Sequence, residues 1–519
     1  MNSTASLQLF LDHFIPKIQQ KTAQLNRATW ILETTGNADA AALRASLDAE
    51  LRLLFHDKKA YEQLVEWDKD PHITDPILKR QMNVLIRTFK PNMVPKNLLE
   101  TIAQEEASLS LLYSNFRPTL DGNRLSENDI RAILTNETDV TTRKKAWNAS
   151  KQIGKEMAPR ILSLVRLRNR AAQSLGYTDY FSMQLQLQEV DEPWLFALLD
   201  NVAIQSEGAY EQLIAHISAT AAARFAVSIE EIGPWAWSDP FCQENPLNVQ
   251  ELDRLAEGID LIETARAFYR SMNLSVDGVL QRSDNFERPG KNQHAFCINM
   301  DRESDVRTLN NLQPTLKWLE TLFHELGHAM YELGYSKQLP WLLRFPPHML
   351  TTEAMALLVG RQPYRAAALA QLLPHSPPEL RQKAEESLRR RQLIFSRWVL
   401  VMTYFERELY RNPDQDLQAL WWTLVGRYQR IHSPGSQSGC DWAAKYHIGL
   451  APVYYYSYLL GELFASTLEV SIGNLLTKRA GEMLTEKMFA PGDRFHWNSL
   501  IAHVTGKELS EKDWLTQFA

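Results

Sequence analysis

The chain has 519 residues, of which 45% are hydrophobic and 23% charged, and its net charge is −6 at pH 7. This composition is typical of a soluble globular protein with a large core. Acidic and basic residues are interspersed, so no basic patch indicates nucleic acid or a membrane surface as a partner. No stretch approaches the roughly 18 apolar residues of a membrane span, the first residues lack the pattern of a signal peptide, and three scattered cysteines form no disulfide framework. We therefore expect a cytoplasmic protein, with its oligomeric state left open.

Helical periodicity recurs along most of the chain. Apolar residues within 7–18 share one face of a first helix, which Pro16 should kink or divide. Similar spacing marks residues 161–165 and 417–428, whereas strand-like alternation is confined to 294–299. The sequence predicts a predominantly α-helical protein with at most a short β-ribbon. Since no long polar linker interrupts it, we expect residues 1–519 to form a single catalytic domain.

The most informative motif is His324-Glu325-Leu326-Gly327-His328, inside an apolar helical pattern from Leu316 to Leu333. Residues four apart lie on one face of a helix, so both imidazoles can bind one zinc ion. The glutamate beside the first histidine is then placed to act as a general base. The alternative without a functional role is a helix that carries two surface histidines.

A zinc site needs a third protein ligand, and Glu353 is the best candidate. It follows a Pro-rich turn and opens a second predicted helix, with Thr351 or Thr352 as a plausible N-cap. Taken alone, Glu353 could equally favour a helix N-terminus through the dipole. His348 is a weaker candidate ligand, because it lies in the loop before that helix.

The chain resembles the angiotensin-converting-enzyme family of gluzincin zinc peptidases, as a distant and compact member, and the resemblance runs through most of its length. His294 lies 30 residues before His324, the interval that this family shows. The segments that carry the resemblance are Arg143–Tyr180, Gly233-Pro234-Trp235-Ala236, Glu287-Arg288-Pro289, His294-Ala295, Asp305-Val306-Arg307, His324–His328, Trp421-Trp422, Tyr428-Gln429 and Lys445-Tyr446-His447-Ile448.

The resemblance implies a role for each matched residue. It makes His324, His328 and Glu353 the zinc ligands and Glu325 the general base. His294 and Ala295 would bind the substrate backbone, and His447 with a nearby tyrosine would stabilise the oxyanion. The implied fold is an ellipsoid of two helical halves around a deep cleft, with the ribbon beside the zinc helix.

The position that corresponds to the family's catalytic tyrosine is ambiguous. Counting from Lys445 without a gap reaches Ser457, whereas a one-residue insertion reaches Tyr458. The run Tyr454–Leu460 also resembles the thimet-oligopeptidase and oligoendopeptidase families, whose tyrosine would match Tyr458. We therefore assign the role to Tyr458, with Tyr455 three residues earlier on the same helical face. A Tyr-rich core helix fits Tyr454 and Tyr456 equally well.

Departures from the family pattern concern specificity. Dipeptide-releasing members bind the substrate's C-terminal carboxylate with a lysine, a tyrosine and a glutamine. Lys445 matches, and Tyr454 or Tyr455 can match, but the glutamine position is Trp237. The two chloride-binding arginines of the animal enzymes correspond to Val425 and a tyrosine near position 456, which predicts no chloride requirement. Leu357 replaces the acidic residue after the third ligand, so support for a zinc histidine must come from elsewhere.

These features predict one zinc ion per chain and a metallopeptidase acting on short oligopeptides. Release of C-terminal dipeptides is the first hypothesis. An oligoendopeptidase or carboxypeptidase specificity on the same scaffold is the second, and a zinc-free helical binding protein is a less favoured third.

Overall fold

The computed structural model describes residues 2–247, 250–435 and 439–518. Helices dominate this part of the chain, which confirms the predicted fold class. The α-helices up to residue 282 are α1 (Ser3–Thr35), α2 (Ala38–Leu54), α3 (Lys58–Asp68), α4 (Pro76–Phe89), α5 (Lys96–Asn115), α6 (Glu127–Asn136), α7 (Val140–Lys151), α8 (Ile153–Ser174), α9 (Tyr180–Leu187), α10 (Glu192–Gln205), α11 (Glu207–Phe225), α12 (Leu261–Ser271) and α13 (Asp277–Arg282).

The remaining α-helices follow the β-structure of the central segment. They are α14 (Leu316–Leu333), α15 (Met349–Gly360), α16 (Ala366–Leu372), α17 (Pro378–Arg411), α18 (Leu417–Gln429), α19 (Tyr446–Leu450), α20 (Tyr456–Ile472), α21 (Lys478–Met483), α22 (Trp497–Thr505) and α23 (Lys512–Leu515). A π-helical turn, Leu484–Phe489, continues α21.

Two small antiparallel sheets accompany these helices. β3 (Phe296–Asn299) pairs with β4 (Val306–Leu309) in the register Phe296↔Leu309, and this is the ribbon expected near residue 294. β1 (Thr119–Leu120) and β2 (Asn123–Arg124) form a two-residue pair that the sequence pattern did not indicate.

The chain divides into two compact units, each made of three separate segments. Unit 1 consists of Met1–Met93, Gln250–Glu385 and Leu460–Trp514. Unit 2 consists of Val94–Val249, Glu386–Leu459 and Leu515–Ala519. Because both units are discontinuous in sequence, neither could have been found as a run of residues between linkers.

Helix α1 shows how packing overrides a local signal. Pro16 removes a backbone donor and should break a helix, yet α1 is a single helix through this position. Leu11 and Phe14 on one side of the proline and Ile18 on the other are all buried in the hydrophobic core of unit 1. The predicted division at Pro16 is therefore wrong, since burial of this continuous apolar face outweighs the lost hydrogen bond.

Unit 2 has its own apolar core, in which aliphatic side chains of α6 pack with aromatic and alanine side chains of α7 and α11. Its members include Trp147, Phe225 and Trp235. None of the helices in the described part of the chain is both long and apolar enough to cross a membrane.

Candidate active site

Two helices of unit 1 carry the predicted zinc-binding residues. Helix α14 begins after Thr315, whose hydroxyl accepts the N–H of Trp318 at 3.2 Å. Helix α15 begins at Met349, and the N-cap is His348, whose Nδ1 accepts the N–H of Leu350 at 3.0 Å. Our expectation of a threonine cap is wrong, because the imidazole of His348 performs this role three to four residues earlier.

Glycines allow α14 and α15 to pack closely in antiparallel orientation. A Cβ atom on Gly327 would lie 2.6 Å from Cγ2 of Val359 and 2.9 Å from Cα of Ala356. A Cβ atom on Gly360 would lie 3.2 Å from Cβ of His324. The glycine within the motif therefore has a steric purpose, which is to bring the second helix, with Glu353, against the histidines.

His324, His328 and Glu353 form a cluster that could hold a metal ion, and their ligand atoms all lie within 4.8 Å of one another. The two histidine Nε2 atoms are 3.2 Å apart. The Glu353 carboxylate oxygens lie 3.8 Å from Nε2 of His324 and 4.0 Å from Nε2 of His328. Tetrahedral zinc with bonds of about 2.0–2.1 Å separates its ligand atoms by about 3.3 Å. This donor set fits zinc with only small side-chain rotations.

The electrostatics of the cluster suit a cation. Burial lowers the pKa of His324 to about 4 and that of His328 well below its ordinary value, so both rings are neutral near pH 7 and keep a lone pair for a metal. Burial, reinforced by the charge of Glu353, raises the pKa of Glu325 to about 8. A bound divalent cation acts in the opposite direction and favours the carboxylate of Glu325.

Thr352 supplies the support that Leu357 cannot give to a zinc histidine. Its Oγ1 lies 2.7 Å from Nδ1 of His328. When Nε2 of His328 keeps its lone pair for a metal, Nδ1 carries the proton and donates it to this hydroxyl. Leu357 is apolar and only partly buried. Thr352 was missed as a functional residue, because from sequence it resembled a helix cap.

His294 and Ala295 immediately precede strand β3, which packs beside α14 in unit 1. The backbone N–H of His294 donates to Oδ1 of Asn292 at 2.9 Å, while its side chain is exposed. The preceding loop is held from within by Lys291, whose buried ammonium donates to the carbonyls of Asp284 and Phe286 at 3.0 and 2.8 Å. The main chain that leads into β3 is thus rigidly positioned.

A second group of predicted site residues lies together in unit 2. His447 is in the short helix α19, and its ring centroid is 4.8 Å from that of Tyr455. The ring of Tyr458 is 5.5 Å from Tyr455 and 5.1 Å from Tyr454. Tyr454 and Tyr455 precede helix α20 and Tyr458 lies in its first turn. The backbone N–H of Tyr458 donates to the carbonyl of Tyr455 at 3.1 Å, so the turn that begins α20 holds these two residues together.

His447 is a neutral donor near pH 7. Burial, with a smaller contribution from the charge of Lys445, lowers its pKa to about 4. Its Nδ1 is buried and has no hydrogen-bond partner among the described residues. A buried ring nitrogen without a protein partner is a candidate for binding a ligand.

Lys445 lies in a polar and aromatic pocket of unit 2. Its Nζ donates to Oε1 of Gln243 at 3.1 Å and lies 5.1 and 5.2 Å from the ring centroids of Phe241 and Trp398. Burial lowers the pKa of Lys445 to about 8. Gln243 was not identified from sequence, because it lies in an irregular loop and is separated from Lys445 by 202 residues along the chain.

Trp237, the residue at the expected glutamine position, is only 2% exposed. Its backbone carbonyl accepts a hydrogen bond from Nη2 of the buried Arg143 at 3.0 Å. The main chain at Trp237 therefore has a structural role in unit 2, and the side-chain amide in contact with Lys445 belongs to Gln243, six residues later.

Comparisons with known proteins agree with this geometry. Residues 133–519, well over half of the chain, match the model of Peptidase family M3, and residues 1–234 match the model described as angiotensin-converting enzyme. An angiotensin-converting enzyme-like protein of Mus musculus is 23% identical over 99% of this chain and 76% of its own length.

Two further relatives are angiotensin-converting enzymes. That of Oryctolagus cuniculus is 22% identical over 91% of this chain, and that of Bos taurus is 21% identical over 99% of it. The alignments span only 39% and 43% of these two proteins. The resemblance indicated by the sequence motifs is confirmed, and the chain is a metallopeptidase of the type that these families share. With most of its length matched by one family model, the chain belongs to Peptidase family M3.

Proposed function

We propose that this protein is a zinc-dependent peptidase that cleaves short oligopeptides and releases dipeptides from their C-termini. The observation that carries the proposal is the contact between Lys445 and Gln243. An ammonium beside an amide, walled by aromatic rings, suits a carboxylate, since the lysine has three N–H donors and the amide nitrogen adds two more. Gln243 offers the amide that Trp237 does not.

The chemistry would take place at the cluster of unit 1. His324, His328 and Glu353 would hold zinc, which supplies Lewis-acid polarisation of the scissile carbonyl and lowers the pKa of water. Glu325, 7% exposed and next to His324 in sequence, would accept the proton of the attacking water. The same carboxyl would then pass that proton to the leaving amine.

Substrate recognition and oxyanion stabilisation use the other predicted residues. His447 and Tyr458 would donate hydrogen bonds to the negative charge that develops on the carbonyl oxygen. The neutral state of His447 suits this role, because one ring nitrogen remains a donor over the whole neutral pH range. His294 and Ala295 would bind the main chain of the substrate, and Tyr454 or Tyr455 would assist Lys445 at its C-terminus.

Matched peptides test the specificity. A ladder of peptides with a free C-terminus and the same ladder with a C-terminal amide would be incubated with the purified protein, and the products mapped by mass spectrometry. We expect dipeptides from the free acids, at least tenfold slower cleavage of the amides, and no products after chelation of the metal. In Lys445→Met the preference for free acids should disappear.

An oligoendopeptidase specificity is the second candidate, and the match to Peptidase family M3 over residues 133–519 favours it. Equal cleavage of acids and amides at internal bonds would establish that specificity and refute dipeptide release. Removal of single C-terminal residues would indicate a carboxypeptidase.

A further inference from the structure

The turn between α19 and α20 contains a strained residue. Val453 has a φ of +56° and is 1% exposed. The left-handed region is strongly disfavoured for a β-branched side chain, so this conformation stores backbone strain. The turn joins His447 to Tyr455 and Tyr458, so its conformation determines how these three side chains face one another.

A buried carboxyl group holds the strained end of this turn. Glu406, in α17, is 1% exposed, and its Oε1 accepts the backbone N–H of Val453 at 2.8 Å. Burial raises the pKa of Glu406 to about 8, whereas the hydrogen bond from Val453 and the charge of Arg168 act to lower it. A leucine at this position would fill similar space without the cost of burying a carboxyl group.

A buried guanidinium holds the other end. Arg168, in α8, is 2% exposed, and its Nη2 donates to the carbonyl of Gly449 at 2.9 Å and to Glu106 at 2.7 Å. Gly449 is packed closely as well, since a Cβ atom there would lie 2.6 Å from Cδ2 of Leu109. Both backbone anchors of the segment 449–453 are therefore made by buried ionisable side chains of unit 2, one acidic and one basic.

We propose that Glu406 and Arg168 are positioning residues, which clamp the turn Gly449–Val453 so that His447 and the tyrosines are aligned for oxyanion stabilisation. This inference rests on the proposed function of His447 and Tyr458. A purely stabilising role explains the two residues poorly, because an apolar pair and a glycine at position 453 would remove both the desolvation cost and the strain. Strained backbone of this kind persists where the surrounding structure determines it, and it clusters at active sites.

Substitutions at Glu406 separate positioning from stability. Glu406→Leu removes the acceptor for Val453, and we expect kcat per zinc-loaded molecule to fall at least tenfold while KM changes less than threefold. Glu406→Gln keeps an acceptor oxygen and should retain at least a third of kcat. Adding Val453→Gly to Glu406→Leu should recover part of kcat, because glycine adopts the left-handed conformation without help. Glu408→Gln, on the same helix at a partly exposed ion pair, is the matched control and should leave kcat unchanged.

If Glu406→Leu does not fold, Glu406→Asp withdraws the carboxylate by one methylene group and should lower kcat in the same way. A folded, zinc-loaded Leu or Asp variant with unchanged kcat would overturn the inference, and so would a loss of thermal stability as the only effect.

A double-mutant cycle tests whether Glu406 acts through His447. Once His447→Ala has removed the oxyanion donor, adding Glu406→Leu should lower kcat by less than threefold. If the loss of kcat in the double variant equalled the product of the two single losses, Glu406 would act independently of His447. The inference would then fail, while the role of His447 would stand. If His447→Ala alone left kcat unchanged, the proposed oxyanion role would fail, and the clamp with it.

Discussion

Two parts of the protein reach defined geometry by opposite means. They are the helices of unit 1 that carry the candidate zinc ligands and the segment from Lys445 to Tyr458 in unit 2. In unit 1 the spacing comes from regular structure, since His324 and His328 are one helical turn apart on α14. In unit 2 the segment consists of the short helix α19, a turn with a strained residue at Val453, and the start of α20. Buried side chains from other helices hold the backbone of that turn.

These two parts also differ in the sequence separation of the residues that are in contact. Glu353 reaches the histidines from the next helix, over a span of fewer than thirty residues. In unit 2 the anchoring partners are remote, because Glu406 is 47 residues from Val453 and Arg168 is 281 residues from Gly449. Local periodicity can specify the first arrangement, whereas only the complete fold specifies the second.

The largest expected loss of activity comes from a substitution in α14, the helix that carries the HExxH motif of unit 1. Glu325→Gln preserves size and hydrogen bonding but cannot accept a proton, so we expect kcat/KM to fall by about three to five powers of ten. Zinc content, measured by elemental analysis, should remain near one per chain. The activity would be measured with an internally quenched peptide.

Glu482→Gln is the control for this substitution, because it makes the same chemical change at an exposed ion pair with Lys478 in unit 1. Its activity should match that of the original protein. Residual turnover above a few per cent in Glu325→Gln would refute its role as the base.

A smaller effect is expected from the hydroxyl that supports His328. Thr352→Val keeps the shape of the side chain but removes the acceptor 2.7 Å from Nδ1, so we expect zinc affinity to fall about 10–100-fold. Competition with a chelator of known affinity measures this change. Thr352→Ser, which keeps the oxygen, should bind zinc within about threefold of the original protein. Equal affinities for the Val and Ser variants would show that the hydroxyl does not support the metal site.

The same contrast explains what could be predicted from the sequence. The helical class, the ribbon near residue 294 and the bounds of α14 follow from periodicity. The candidate metal cluster of His324, His328 and Glu353 follows from helical spacing and one turn. The cap at His348 was missed because imidazoles cap helices less often than hydroxyls or carboxylates. Gln243 was missed because its position depends on irregular backbone, for which no periodic signal exists.

The pocket of unit 2 predicts a pH dependence. Because burial lowers the pKa of Lys445 to about 8, the ammonium loses its proton as pH rises through that value, and a substrate carboxylate then loses its partner. We expect the ratio of kcat/KM for a free-acid peptide to that for its amide to fall about tenfold between pH 7 and 9.5. The charged groups that act on the lysine are Asp239, Glu127, Arg131 and Glu244.

Lys445→Met is the control for this pH dependence. It should show a low, constant ratio over the whole range, since no ammonium remains to titrate. A ratio that falls equally in the Met variant would assign the pH dependence to another group.

The smallest effect is expected from chloride. Val425 is apolar and buried, and the buried Tyr456 donates its hydroxyl hydrogen to Oε1 of Gln188 at 2.7 Å, so neither position offers a positive charge to an anion. Replacing chloride by acetate at a constant ionic strength of about 0.1 M, which keeps screening unchanged, should alter kcat/KM by less than about twofold, or about 0.4 kcal/mol. A larger loss that chloride restores with saturation would mean that unit 2 binds the anion through other side chains. The ion requirements of the enzyme could then not be predicted from the sequence pattern of α14 and α15 alone.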